Sequence, residues 1–335
     1  MTIFLTGASG FVGLNLAETL LGRGEDVTTF SAGPLPDAAR RAFASLPGRL
    51  TEVEGDVLDD EALNGALAQA RARVVIHGAA LTPGPDHEPK VFRRTLEVNV
   101  LGVVGVLEAA RAQDVERLVH LSSGSVFGEN AKAAPLLDEA LPHPRPQSVY
   151  AISKYAGERA ALRFGTLHGF PVTVARLGAV FGPWEYATGV RETLSPLLGA
   201  TLLALRGEEA VLSEAVDQDW IYVRDVAEAV AALAQGETPP HDLYHIGSGQ
   251  AWSVADWCRE LAARRPGFQW RVAEEGQSSN VEVYGATVRS PLATERLFKD
   301  LGIRARFGLL ESLVDYLDWF ETSGRDLFLE QGGSS

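Results

Sequence analysis

Apolar and polar positions along this chain switch repeatedly between a period of two and a helical period. Thr2–Thr6 is a short apolar run ending at Gly7-Ala8-Ser9-Gly10-Phe11-Val12-Gly13. Leu14, Leu16, Ala17, Leu20 and Leu21 then recur at helical spacing. Gly22 and Gly24 stop that helix, and residues 27–30 predict a second strand. Strand Leu50–Glu54 and helix Asp60–Ala70 follow. Val74-Val75-Ile76 then runs without a polar break into His77-Gly78-Ala79-Ala80, the pattern of a strand buried on both faces. A helix over 95–112 precedes a strand at 117–122, and a helix over Val149–His168 precedes strand Val172–Leu177. Repeated strand–helix–strand units of this kind predict an α/β fold with a doubly wound parallel sheet. After Phe181 the pattern loosens, and one more strand–helix pair over 219–233 is expected to return to the sheet.

The glycines at 7, 10 and 13 leave the first strand and open a helix. Gly7 permits the tight turn, Gly10 lets backbone approach a pyrophosphate, and Gly13 lets helix and strand pack closely. Phosphates would lie at the helix N-terminus, beside Phe11 and Val12, where backbone amides and the helix dipole favour anions. The position of the triplet at the head of a strand–helix unit is what makes it a dinucleotide motif. The sheet is therefore expected to be Rossmann-type, with an NAD(P)-binding domain at 1–181 plus about 218–248. Segments of about 182–217 and 249–325 are expected to form a smaller C-terminal substrate-binding lobe, and 326–335 a flexible tail. The second strand ends at Phe30-Ser31, without the acid that would hold ribose hydroxyls, and the nearest cations are Arg40 and Arg41. NAD is the expected cofactor, with NADP left open. Asp56 and Val57 after the third strand place a carboxylate either by the adenine amino group or in a turn or helix cap.

Composition narrows the partners. With 335 residues, 46% apolar and 22% charged, the chain is an ordinary globular protein with a sizeable core. A net charge of −14 argues against nucleic acid and anionic membranes as partners. Cys258 is the one cysteine, which excludes an internal disulfide and any multi-Cys metal site, and no His–carboxylate spacing suggests a metal. No apolar run reaches spanning length, and no basic region precedes the first strand, so a cytoplasmic protein is expected.

Tyr150 and Lys154 lie four residues apart at the start of a helix and share one face. A free phenol ionises at about pH 10, and a neighbouring ammonium favours the phenolate needed for proton abstraction. The preceding strand ends in Ser122-Ser123-Gly124-Ser125, which puts small hydroxyls at the carboxyl edge of the sheet, where a serine can hydrogen-bond a substrate oxygen.

These residues resemble the extended short-chain dehydrogenase/reductase family, the NAD-dependent epimerase/dehydratase group, over nearly the whole chain. The resemblance rests on Gly7-x-x-Gly10-x-x-Gly13, His77-Gly-Ala-Ala80, Asn99-Val-Leu-Gly102, Ser122-Ser123 with Val126-Phe127-Gly128, and Tyr150-x-x-x-Lys154. It continues through Arg176, Val180-Phe-Gly-Pro183, Asp219-Trp-Ile-Tyr-Val-Arg-Asp225 and Tyr244-His-Ile-Gly-Ser-Gly249. It implies that Ser123 is the catalytic hydroxyl, Tyr150 the acid/base and Lys154 its partner and a cofactor ligand. Ala79, Ala80 and Asn99 would border the cofactor, Asn99 would also support the helix near the active site, and the chain would form a homodimer through helices at about 95–112 and 150–168.

The departures from the family pattern bear on substrate. Gly124-Ser125 stands where sugar 4,6-dehydratases carry Asp-Glu. Ala179 and Gln218 stand where nucleotide-sugar epimerases commonly carry Asn and Arg. The reading is an NAD(P)-dependent oxidoreductase transferring hydride at a carbinol carbon of a sugar or sugar-acid-like substrate. A UDP-sugar 4-epimerase with retained NAD is the alternative, and a non-catalytic dinucleotide sensor a second. Thr82, Ser123, Ser125, Tyr150 and Ala179 are expected to touch substrate. Trp184 and Tyr186 either pack on a sugar face or belong to aromatic packing, Arg191 either clamps an anion or lies at the surface, and Arg289 is a second candidate for that clamp. His77, His120 and His245 are expected to be satisfied core or edge residues.

Overall fold

The computed structural model describes residues 1–140, 142–187, 194–283 and 288–332. Six central strands are β1 (Thr2–Thr6), β2 (Asp26–Ser31), β3 (Leu50–Glu54), β4 (Val74–His77), β5 (Arg117–Ser123) and β6 (Val172–Leu177), and Leu243–Ile246 is the seventh. Their spatial order is Leu243–Ile246, β6, β5, β4, β1, β2, β3, all parallel. The chain winds from β1 out to β3, then crosses to β4 on the other side of β1. A crevice therefore opens at the carboxyl ends of β1 and β4. Thr6 at the end of β1 stands opposite Phe30 on one side and His77 on the other. β4 and β6 are buried along their whole length, β4 as its apolar run requires and β6 with Thr173 and Arg176 included, whereas the edge strand β3 exposes Thr51, Glu52 and Glu54.

Helices α1 (Phe11–Gly22), α2 (Asp37–Phe43), α3 (Asp60–Ala70), α4 (Glu88–Leu96), α5 (Gly102–Ala112) and α6 (Val149–His168) flank the sheet. The helix expected over 95–112 is longer and interrupted. It starts as α4, opens into a wide five-residue turn at Glu97–Leu101 carrying Asn99, and resumes as α5.

The strand expected at 219 does not join the main sheet. Asp217–Tyr222 pairs with Ala179–Phe181 in parallel and with Ala251–Ser253 antiparallel, forming a separate three-stranded sheet. Leu243–Ile246 takes the seventh place instead. The helix after Asp217–Tyr222, Val223–Ala234, does return, burying Val226, Ala227, Val230, Ala231 and Leu233 and packing on α1. A second small sheet pairs Ala210–Leu212 with Trp270–Val272. Aromatic rings fill this part of the molecule: Phe181 stands edge-on to Trp220, Trp252 and Trp257 at centroid distances of 6.3, 5.6 and 5.5 Å.

The flexible tail expected from 326 is a helix, Arg325–Gly332. Leu327 is buried and Phe328 stacks on Phe320 at 5.6 Å, so apolar contact holds a segment whose sequence ends in glycine and serine. No helix among the described residues is long and apolar enough to cross a membrane, and no group of His, Cys, Asp or Glu among them could hold a metal ion.

Candidate active site

The crevice at the end of β1 is a cleft of about 840 Å³. Gly7, Gly10, Phe11, Val12 and Gly13 line one wall. Gly7 adopts φ +72°, and a side chain there would meet Ala79 N at 2.6 Å. A Cβ on Gly13 would lie 2.2 Å from Gly7 O, so α1 packs directly on the loop. A Cβ on Gly10 would meet only Gly7 O, at 3.3 Å, which leaves its outer side open. No side chain caps α1 and no acid stands in its first turn. A bare helix N-terminus behind an open glycine is a cradle that fits a pyrophosphate. Ser9 is fixed on both sides of this loop: its N–H donates to Ser31 Oγ at 3.2 Å, and its carbonyl accepts from Tyr186 Oη at 2.7 Å.

At the far end of the same wall lie Ser31, Ala32, Gly33, Pro34, Asp56, Val57 and Arg94. Asp56 Oδ1 accepts from Leu58 N at 3.0 Å while Oδ2 pairs with Arg94. The helix-capping role belongs to Asp59, whose Oδ1 accepts from Ala62 N. The two cations near the end of β2 are both engaged. Arg40 forks onto Glu52 at 2.9 Å and also bonds Asp37, and Arg41 pairs with Asp326.

Across the cleft stand Ala79, Ala80, Thr82, Ser122, Ser123, Tyr150 and Lys154. Ser148 caps α6 by accepting from Ala151 N at 3.1 Å, and this fixed first turn presents Tyr150. Ser123 Oγ accepts from Ser125 N at 3.2 Å, so its own hydrogen remains to be donated. Lys154 Nζ donates to Leu121 O at 2.5 Å. Burial lowers its pKa to about 8, against the opposing pull of Glu158.

Beneath these groups lies a network that the sequence reading did not assemble. Arg176 bonds Glu158 through Nε at 2.8 Å and Nη2 at 2.6 Å, both residues buried, and Ser122 Oγ donates to the same carboxylate at 3.0 Å. Glu158 continues the four-residue step from Tyr150 through Lys154, and that spacing was the available signal. His245 Nδ1 lies 3.1 Å from Leu137 O and is satisfied there. His77 and His120 stack at 5.4 Å, and burial lowers both pKa values, that of His77 to about 3. His77 reaches Thr6 Oγ1 at 2.7 Å, but neither ring nitrogen of His120 has a partner, contrary to the expectation of a satisfied core residue.

Several expected contacts are placed elsewhere. Asn99 lies behind the cleft: its Nδ2 donates to Leu81 O and Ser153 Oγ, both at 2.9 Å, and its Oδ1 accepts from Leu81 N at 2.8 Å. It positions the loop after β4 against α6 rather than lining the pocket. Trp184 is fully buried, donates to Glu18 Oε2 at 3.0 Å and packs edge-on to Phe43 and Trp319, so it is core and not a sugar platform. Ala179 is held in the small sheet opposite Trp220, and its neighbours Gly178 and Val180 line the cleft in its place. Ser125 Oγ is buried without a partner. Arg191 lies outside the described residues. Arg94 and Leu177 line the cleft and were not anticipated; Leu177 follows from the carboxyl-edge rule, whereas a lone Arg on a predicted helix carried no signal.

Comparison with known proteins gives this arrangement relatives. The NAD dependent epimerase/dehydratase family matches residues 3–247. GDP-6-deoxy-D-mannose reductase of Pseudomonas aeruginosa is 31% identical over 78% of this chain and 79% of its own. UDP-glucose 4-epimerase of Mycolicibacterium smegmatis is 28% identical over 97% of this chain and all of its own. Among solved structures, MoeE5 in complex with UDP-glucuronic acid and NAD is 29% identical, covers 96% of this chain and 100% of its own, and superposes with a TM-score of 0.73.

Proposed function

The chain belongs to the NAD-dependent epimerase/dehydratase family, and on that footing we propose that it oxidises or reduces a carbinol carbon of a sugar or sugar-acid substrate, with Ser123, Tyr150 and Lys154 as the catalytic residues. The observation that carries the reading is the convergence of these three side chains and the glycine loop on one cleft.

NAD fits the first wall, with Gly7, Gly10, Phe11, Val12 and Gly13 around its pyrophosphate and Ser31, Asp56 and Val57 at its adenosine end. NAD is favoured over NADP because Arg40 and Arg41 are already paired with carboxylates, leaving neither cation for a 2′-phosphate. When bound, NAD supplies the hydride acceptor and donor. The chain's own residues do the rest. Ser123 donates its hydrogen to the substrate oxygen and fixes its position. Tyr150 takes the hydroxyl proton as the carbonyl forms and returns it in the reverse direction. Lys154, one helical turn on, holds positive charge beside the phenol oxygen and reaches the ribose hydroxyls. Leu121 O, bonded to Nζ, and the charge of the Glu158 carboxylate keep that ammonium in place.

Segments 182–217 and 249–325 supply the substrate side, with Thr82 contributing from the sheet side. Exposed Phe92, Leu101 and Ile152 on α4, α6 and the turn between α4 and α5 favour a homodimer built on these helices.

The test is an absorbance scan of the purified protein challenged with sugars, sugar acids and UDP-sugars plus NAD or NADP. Free reduced cofactor accumulating with one compound identifies a dehydrogenase. Product formed on retained cofactor without net reduction identifies an epimerase. Absence of either across a panel that includes neutral and acidic sugars would count against the reading.

A further inference from the structure

Residues 182–187 carry the chain from strand Ala179–Phe181 into the small lobe, and four side chains fasten them. Asn15 Nδ2 donates to Pro183 O at 2.8 Å, Trp184 Nε1 to Glu18 Oε2 at 3.0 Å, and Tyr186 Oη to Ser9 O at 2.7 Å. Glu185 accepts from Ser195 N at 2.7 Å and from Ser195 Oγ at 2.6 Å. Three of these anchors reach α1 or the glycine loop that opens it. The fourth ties the segment to the lobe helix Pro196–Arg206, which Ser195 caps. The segment is therefore a strap from the lobe onto the helix whose N-terminus forms the pyrophosphate cradle.

The strap is held in a conformation that the backbone resists. Trp184 adopts φ +63°, which a bulky residue takes up only where its surroundings enforce it. Here they do: Trp184, Glu185 and Asn15 are all buried, and Asn15 Nδ2 also donates to Phe11 O at 2.9 Å. One amide thus joins the strap to the first turn of α1. The turn sends Trp184 into the core against Phe43 and Trp319 and leaves Tyr186 in the cleft. Backbone strain of this kind gathers at ligand clamps.

Of the four anchoring side chains, Tyr186 alone lines the cleft, beside Ser9, Gly10, Phe11 and Val12. Both atoms of its bond to the loop belong to the protein. A bond that joins two walls of a cleft opposes entry and exit alike, without adding to the affinity of what lies between them. Burial pushes the Tyr186 phenol up to about 12, so it remains a donor at neutral pH.

Resting on the assignment of NAD to this cleft, we propose that Tyr186 is a cofactor latch: its hydroxyl, bonded to the Ser9 carbonyl, closes the strap over the pyrophosphate and slows exchange of NAD with solvent. The ring then belongs to the cofactor side of the cleft and is not a platform for the sugar.

Stopped-flow fluorescence of NADH tests this, with mixing to read association and a chase of excess NAD to read release. Tyr186→Phe keeps the ring and removes only the hydroxyl. Both rates should rise about 3- to 10-fold, the loss of one hydrogen bond, while their ratio stays within about twofold of wild type. Tyr186→Leu, which also removes the ring, should raise both rates further. AMP, which stops short of the second phosphate, should bind all three proteins within about twofold.

Unchanged rates with only a lower melting temperature would make Tyr186 a structural brace and overturn the proposal. Faster release at unchanged association, with affinity lost to match, also overturns it, by making Tyr186 an ordinary cofactor contact. An equal loss of AMP affinity overturns it too, by tracing the effect to a loosened loop. Sugar turnover, read on the same samples, is a separate outcome. Latch kinetics without turnover would sink the functional reading alone, and turnover with unchanged release would sink this one alone.

Discussion

Replacing Lys154 with Met is expected to stabilise the protein at neutral pH while abolishing its activity. Lys154 is 4% exposed, and burial lowers its pKa from 10.5 to about 8. At 1.36 kcal/mol per pKa unit, carrying that charge at pH 7 costs the fold about 3 kcal/mol. The hydrogen bond to Leu121 O offsets roughly 1–2 kcal/mol of this, and Met forfeits it. The variant should therefore gain about 1–2 kcal/mol. For a chain of 335 residues, whose unfolding entropy is roughly 2.1 cal/mol/K per residue, that raises Tm by about 2 °C. The sign reverses with pH. Because the folded pKa lies below the unfolded one, the penalty is complete below about pH 8 and fades as pH rises to 10.5, where the lysine is losing its proton in both states. Calorimetric melts of both proteins at pH 7 and pH 10.5, with turnover measured at pH 7, test the argument. The variant should melt higher at pH 7, lose that advantage at pH 10.5, and turn over about 10²–10⁴-fold more slowly. A variant that melts below wild type at pH 7, or that keeps its activity, would refute the reasoning.

Three further outcomes follow from the same contacts. Gly13→Ala puts a methyl 2.2 Å from Gly7 O and must push α1 off the loop, so NAD binding measured by titration should weaken at least about tenfold. Trp184→Ala should cost about 3–5 kcal/mol in urea unfolding but leave KM within about twofold, because that ring is core and not a substrate contact. Glu52→Ala frees Arg40 Nε and Nη2 from one of its two carboxylate partners, and the NADP-to-NAD affinity ratio should rise about tenfold.

Most of the central sheet is legible in the sequence because a doubly covered parallel strand tends to be a continuous apolar run, and the interiors of β1 and β4 are such runs. The glycine loop and Tyr150–Lys154 are legible for a related reason: their chemistry lies within seven and five consecutive residues. Pairings settled at long range are not readable in this way. Asp217–Tyr222 followed by Val223–Ala234 looks locally like one more strand–helix unit. Its place outside the main sheet depends on partners at Ala179–Phe181 and Ala251–Ser253. Trp184, after Gly-Pro, reads equally as a sugar platform or as aromatic packing; Phe43 and Trp319, from opposite ends of the chain, settle it as core. Asn99 is found by its motif, yet its clamp on Leu81 and Ser153 depends on the wide turn at Glu97–Leu101, which no periodicity announces. Arg289 has no helical or strand pattern around it, and its place beside Gly124 follows from contacts between distant segments.

The central claim is that Tyr150 transfers the proton in a cleft that holds NAD. The most direct measurement pairs NAD titration with product formation, by mass spectrometry and nicotinamide absorbance, for wild type and Tyr150→Phe. The account predicts NAD affinity within about threefold of wild type and turnover lowered about 10²–10⁴-fold in the variant. Unchanged turnover in Tyr150→Phe would contradict it, and so would a wild type that binds NAD but converts no member of the sugar panel.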